Sequence, residues 1–412
     1  MGRSWRAKTG SGALGPTYGP ALARQNKVRE LRLPVRQMVH YRSDMESTPI
    51  HLLTAAGQSV WSDQISRTML DTGELADRIS RQAVTGVTSN PTIFANAITK
   101  SSAYDAQIAE MASRAASVDE IYAALVTDDL QRACDELAGV FVATGGRDGF
   151  VSVEVSPELA YDADGTVAEA REWSKRIDRP NLLVKIPATT EGVGAIRRAI
   201  AEGISINVTL IFALDRYREV MESYLAGLED LAASRGDISQ IAGVASFFVS
   251  RVDTEIDKRL VALGSPEALA LRGKAAVANA QIAYELFWQT FTGERWNALA
   301  VRGARVQRPL WASTSTKNPE YRDTLYVDTL IAPHTVNTMP LETIDAYQDH
   351  GGFPSPIGPE EISSAKAVLV AVGAQDVDYD DVVRVLAEEG VDKFAKSFRD
   401  LYEDIASKAS RM

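Results

Sequence analysis

The sequence predicts an α/β protein: a (β/α)8 TIM barrel with additional C-terminal helices. Three observations predict it. From about residue 50 onward, short apolar runs rich in Val and Ile alternate with amphipathic segments, the signature of βα units with parallel pairing. Eight such runs can be found, and eight units favour a closed barrel over an open sheet. No GxGxxG follows the first run, which weakens a doubly wound dinucleotide-binding alternative.

The expected strands, in order, are SVWSD (59–63), TGVTSN (85–90), GFVSVEV (149–155) and NLLVKIP (181–187). They continue with ISINVTL (204–210), GVASFFVS (243–250), RPLWAS (308–313) and TLYVDTLIAP (324–333). Between them, QIAEMASRAASVDEIYAAL, EGVGAIRRAIAEG and ALDRYREVMESYLAGLEDLAAS carry apolar residues at three- and four-residue steps and read as helices. After Pro333 the chain reads as helices again: MPLETIDAYQDHG, EEISSAKAVLVAVGA and DYDDVVRVLAEEGVDKFAKSFRDLYEDIASKAS. The turn-rich HGGFPSPIGPEE separates the first from the second. This block is expected to pack on the barrel, so that residues 45–412 form one domain.

Parallel barrel strands are covered outside by helices and filled inside by side chains, so both faces should be apolar. A polar residue on such a strand is costly unless paired, and near a C-terminal strand end it is a candidate for catalysis. On the third strand Val151, Val153 and Val155 share one face, while Ser152 and Glu154 share the other. On the fourth, Lys185 interrupts Leu182, Leu183, Val184, Ile186 and Pro187. A lysine in that setting loses hydration, which frees the neutral amine as a nucleophile. It can equally be the ion-pair partner of Glu154, and the two readings overlap because such an acid also serves proton transfer. On the fifth strand Ser205, Asn207 and Thr209 share a face opposite Ile204, Ile206 and Val208. They can hold hydroxyls or a water, or simply form a polar core network.

Asp63 ends the first strand and reads either as a helix N-cap or as a general base. Thr88 and Asn90 end the second, and Asn90 before Pro91 also fits an ordinary turn. Arg251 after SFFVS, Ser313 at the end of the seventh strand and Lys317 in STSTKNP suit a phosphate, which this fold often binds with its late loops. TKNP also reads as a helix-start turn, which makes Lys317 the weaker candidate.

Composition narrows the chemistry. The chain has 412 residues and a net charge of −11, with no basic face in its body of the kind a nucleic-acid binder carries. An anionic substrate must then be held by a few local cations. Cys134 is the single cysteine, so neither an intramolecular disulfide nor a cysteine metal cluster is expected. It sits in a helical stretch and reads as buried filler. His40, His51, His334 and His350 show no metal-ligand spacing. No apolar run approaches the ~20 residues that span a bilayer, so no membrane association and a cytoplasmic location are expected. The first 44 residues hold nine Arg/Lys and two acids. They read as a basic disordered extension or a start-site artefact, with Met45 a plausible start.

These segments together carry a resemblance. GVTSNPTIF, VSVEVSPELAYD, NLLVKIPAT, GISINVTLIF, VASFFVSRVDTEIDKRL, RPLWASTSTKNP and YVDTLIAPHTVNTMP, in this order, resemble the transaldolases, in particular a longer form found in actinobacteria. The resemblance covers roughly residues 50–405. It implies transfer of a dihydroxyacetone unit between sugar phosphates in the non-oxidative pentose phosphate pathway, with no cofactor and no metal. It implies that Lys185 forms the Schiff base and that Asp63 is the general acid/base at the C4 hydroxyl. It makes Glu154 relay protons through a water that Thr209 orients. Asn90 and Asn207 would hold the dihydroxyacetone hydroxyls, Arg251 and Ser313 the phosphate, and Phe248 would line the pocket. Thr88 and Ser246 are placed with the substrate-binding set.

One position departs from the pattern. Shorter transaldolases carry an arginine two residues after the phosphate-binding serine; here Ser315 stands there, and Lys317 is the substitute point charge. Some longer relatives are fused to a phosphoglucose isomerase, and the unfused type is expected. Two rivals stay open: another Schiff-base aldolase of fructose-6-phosphate or deoxyribose-phosphate type, and a silent sugar-phosphate-binding protein. The oligomeric state is not legible, and a homo-oligomer is compatible with everything above.

Overall fold

Eight parallel strands close on themselves in chain order, the first pairing with the last. The structure is a computed structural model that describes residues 48–352 and 356–411; the expectation for residues 1–44 lies outside the described residues. The strands are β1 (Gln58–Ser62), β2 (Val84–Val87), β3 (Phe150–Glu154), β4 (Leu182–Pro187), β5 (Ile206–Ile211), β6 (Gly243–Phe248), β7 (Gln307–Ala312) and β8 (Thr335–Met339). Helices lie between successive strands, and three more follow β8: Leu341–His350, Pro359–Gly373 and Tyr379–Ala409. The expected (β/α)8 barrel with extra C-terminal helices is the fold found.

The two-residue period of each strand sorts its side chains. Val151 and Val153 are buried in the apolar layer beneath the helices, while Ser152 and Glu154 face inward. Register then levels the inward residues across the barrel: Glu154 stands beside Lys185, Lys185 beside Asn207, and Pro187 beside Thr209. The lower interior is filled by the Trp61 indole. A Cβ on Gly86 would come within 2.5 Å of that ring, so only glycine fits there. Trp61 Nε1 donates to Asp148 Oδ1 at 2.8 Å. Arg308 donates to the Ser59 hydroxyl at 2.5 Å and to the Thr335 carbonyl at 2.7 Å, and Ser59 donates to Asp148. This network fills the N-terminal end of the barrel and leaves the C-terminal end for a cavity.

Two expectations are corrected. The eighth strand is Thr335–Met339, not TLYVDTLIAP; within that stretch Leu325–Asp328 is a short helix. The β-branched and aromatic content of 324–333 imitates a strand, whereas the real one is disguised by polar residues that find partners. Thr335 donates to the Ala332 carbonyl at 2.6 Å, and Asn337 accepts from Thr314 at 2.8 Å. The pattern from Gln107 to Leu125 is two helices, Asp105–Ser113 and Val118–Ala143. Ala115 adopts φ 56° between them, and a Ser117/Glu120 capping box starts the second.

The last helix does more than pad the barrel. It lies along the helix Pro91–Lys100, with Thr92 donating to Ser397 at 2.8 Å and Thr99 to Asp404 at 2.6 Å. Gly390 in its middle faces Leu210 of β5, and a Cβ there would meet a leucine methyl at 2.9 Å. Phe398 packs edge-on against Tyr122 at 5.5 Å. Phe394, one turn earlier, reaches the barrel mouth.

Candidate active site

At the C-terminal end of the barrel is a cavity of about 150 Å³. Ten of the residues singled out from sequence line it: Asp63, Thr88, Asn90, Lys185, Thr209, Ser246, Phe248, Arg251, Ser313 and Lys317. Glu154 and Asn207 stand behind this lining. Thr338, Pro340, Ala312, Ser315 and Phe394 complete it.

Lys185 projects from β4, and its Nζ donates to Glu154 Oε2 at 2.9 Å and to the Ser89 carbonyl at 3.2 Å. Both side chains of the pair are almost wholly buried. Burial pushes the Glu154 carboxyl above its usual range, and the neighbouring Lys185 pulls it back only in part. The pair therefore sets a carboxyl group in a buried setting beside an amine that opens onto the cavity.

Asp63 follows β1 and is not a helix cap, because Ser66 caps the next helix by accepting from the Met69 amide. Its Oδ1 is buried with no hydrogen-bond partner among the described residues. Burial, with Glu342 adding to it, raises the Asp63 carboxyl from 3.8 to about 7; Lys317 and Lys185 oppose the shift. Thr209 has the same orphaned character, its Oγ1 buried without a partner among the described residues. Its placement follows from a break in the β5–β6 register between Val208 and Ile211, where Leu210 takes φ 59°. A bulge at this point re-aims the strand end. Two unsatisfied buried polar atoms lining one cavity are a ligand's complement, since such groups cost free energy until paired.

Asn90 begins a helix. Its Oδ1 caps the helix Pro91–Lys100 by accepting from the Ile93 amide at 3.0 Å, which leaves the amide nitrogen as the group offered to a ligand. Asn207 is engaged at both ends: Nδ2 donates to Ser152 Oγ at 3.0 Å, and Oδ1 accepts from Ser246 at 2.7 Å. It underlies the cavity floor and does not line it. Thr88 shares a 2.8 Å hydrogen bond with Thr338.

The far side is cationic. Arg251 lies at the start of the helix Ser250–Leu263, half-buried. Its guanidinium sits over Phe248 at 4.9 Å and Phe394 at 5.9 Å from the ring centroids. Burial penalises its charge, while Glu154 and Glu389 partly offset this. Ser313, at φ 58°, shares a 2.8 Å hydrogen bond with Ser250. Lys317 is exposed and donates to Ser315 at 2.6 Å. A guanidinium held between aromatic faces, beside two hydroxyls and an ammonium, is equipped for a phosphate.

Sequence reasoning missed Thr338 and Pro340 because the eighth strand was placed too early; the alternation in TVNTM was the available signal. It missed Phe394 because nothing distinguishes that residue from the other apolar members of its helix stripe.

Fold and cavity define a barrel enzyme with its reactive groups at the C-terminal strand ends. Residues 60–405 match the family described as transaldolase/fructose-6-phosphate aldolase. A transaldolase of Mycolicibacterium smegmatis is 53% identical over 351 residues, covering 85% of this chain and 95% of the relative. One of Thermobifida fusca is 53% identical over 359 residues, covering 87% and 98%. One of Frankia alni is 50% identical over 365 residues, covering 89% and 98%. The chain belongs to the transaldolase family, and its activity is that of a transferase moving a three-carbon unit.

Proposed function

We propose that the enzyme moves a dihydroxyacetone unit from sedoheptulose 7-phosphate or fructose 6-phosphate to glyceraldehyde 3-phosphate or erythrose 4-phosphate. It would act in the cytoplasm, within the non-oxidative pentose phosphate pathway. The observation that carries this reading is the buried Lys185–Glu154 pair opening onto a cavity shared with Asp63.

The lysine amine adds to the donor ketone, and loss of water gives an iminium. Glu154 handles the protons of this step through a water held by Thr209, whose free hydroxyl supports that assignment. Asp63 then takes the C4 hydroxyl proton. The C3–C4 bond breaks, its electrons pass to the iminium nitrogen, and the first aldehyde departs. A group titrating near 7 suits both removal and return of a proton at neutral pH. The resulting enamine attacks the second aldehyde, and hydrolysis frees Lys185. Asn90 holds hydroxyls of the three-carbon unit from its free amide nitrogen; Asn207 reaches a substrate only by exchanging one of its two bonds, and otherwise fixes Ser246. Thr88 bounds the unit beside Thr338. Arg251, Ser313 and Lys317 take the phosphate, with Phe248 beneath the guanidinium.

The family description also covers fructose-6-phosphate aldolase, so transfer has to be separated from release. Incubation with fructose 6-phosphate, with and without erythrose 4-phosphate, does so. Sedoheptulose 7-phosphate forming in step with glyceraldehyde 3-phosphate is expected. Free dihydroxyacetone as the main product, whether or not acceptor is present, would contradict transfer.

A further inference from the structure

Among the described residues, those lining the cavity come from the barrel strands and the segments directly following them, with Phe394 the exception. This residue belongs to the last helix, Tyr379–Ala409, which follows the completed barrel. Its ring centroid is 5.4 Å from Lys185 Nζ and 5.9 Å from the Arg251 guanidinium. It is 5% exposed, so it fills its place fully. One turn earlier on the same face, Gly390 lets the helix descend onto Leu210, the left-handed residue next to Thr209. The nearest atom to a Cβ there would be a Leu210 methyl at 2.9 Å, so the helix lies close against the end of β5 at this point. The helix is therefore seated on the reactive lysine, on the arginine and on the strand bend that aims the threonine.

We propose that Phe394 is a specificity-determining residue that decides whether the lysine-bound three-carbon unit is transferred or lost. The inference rests on the Schiff-base reading above. After the first aldehyde leaves, the enamine has two fates. In transfer, its nucleophilic carbon attacks the acceptor carbonyl, a C–C bond forms and the carbonyl oxygen takes a proton. In loss, the same carbon takes a proton instead; water then adds to the C=N bond, the C–N bond breaks, and dihydroxyacetone and the free amine result. The second route is favoured by water at the enamine. An apolar ring over Lys185 Nζ keeps water out while the unit waits. The same ring faces the Arg251 guanidinium at 5.9 Å, so it also keeps the acceptor's phosphate seat in place.

The test compares Phe394→Ala, Phe394→Val and Phe398→Ala with wild type. Phe398 lies one turn further on and packs on Tyr122 and Tyr402, away from the cavity, so it controls for a loosened helix. With fructose 6-phosphate and erythrose 4-phosphate, the ratio of free dihydroxyacetone to sedoheptulose 7-phosphate is measured, and borohydride trapping is run in parallel. Phe394→Ala should raise the ratio about tenfold with the lysine adduct retained. Phe394→Val, the milder change, should raise it less. Phe398→Ala should lower the melting temperature and leave the ratio unchanged. A flat ratio in both Phe394 variants, or an equal rise in Phe398→Ala, overturns the role of Phe394 while the adduct keeps the Schiff-base reading intact. No adduct in wild type would bring down both.

Discussion

Lys185 and Glu154 show how one pair carries both structural and chemical weight. Two charges buried at 2.9 Å add little net stability, but removing one leaves the other without its partner. Lys185→Met should therefore destabilise the protein by about 3 kcal/mol, and adding Glu154→Gln should recover part of this loss in urea unfolding curves. Asp63 makes a pH-dependent contribution of definite sign. Its carboxyl titrates at about 7 in the fold against 3.8, so the folded state binds the extra proton. The stability this gives is full below the unfolded value and is lost as pH rises through about 7. Asp63→Asn should remove that slope, making the variant more stable than wild type above neutrality. Because the ionised form is the base, wild-type kcat/KM should fall as pH drops below about 7, and Asp63→Asn should abolish cleavage. A pH series of thermal unfolding and initial rates checks both arms. At this scale much was legible: a lysine and a glutamate interrupting valine-rich runs have few explanations. The tying of Asn207 to Ser152 and Ser246 was not legible, because a hydrogen-bond partner across the barrel is invisible in one strand's pattern.

Among the elements, strand period and register do most of the placing. Seven strands could be read as short apolar runs, with valines or isoleucines alternating most plainly in β3 and β5. The eighth could not, since Thr335, Asn337 and Thr338 are buried and bond to Gln58, Thr314 and Thr88, which lie far away in sequence. Gly86 marks an interior constraint of the same kind: Gly86→Ala would press a methyl group against Trp61 and should cost about 1–3 kcal/mol by overpacking, seen as a lower urea midpoint at unchanged slope. The helix Ser250–Leu263 holds Arg251 at its first turn, close to Ser313. Arg251→Ala should raise KM for fructose 6-phosphate about 10- to 100-fold while leaving the much slower reaction of unphosphorylated fructose unaltered. Equal losses for both sugars would place Arg251 outside the phosphate seat.

For the whole molecule, a net charge of −11 coexists with a cationic corner inside the cavity, which fits local capture of an anion over long-range steering. The family match over residues 60–405 supports a catalytic unit within residues 45–412. A chain beginning at Met45 should keep the wild-type kcat/KM, and a large loss would assign the preceding segment a part in the reaction. The C-terminal helices were readable as helices but not as part of the site, because periodicity reports that a face is covered without saying what covers it. The central claim is that Lys185 carries the three-carbon unit. Intact mass after adding fructose 6-phosphate and sodium borohydride tests it most directly, on wild type and on Lys185→Ala. A gain equal to one reduced dihydroxyacetone unit, absent from the variant, is the predicted result. No gain in wild type, with sedoheptulose 7-phosphate tried as well, or a gain that persists without Lys185, would contradict it.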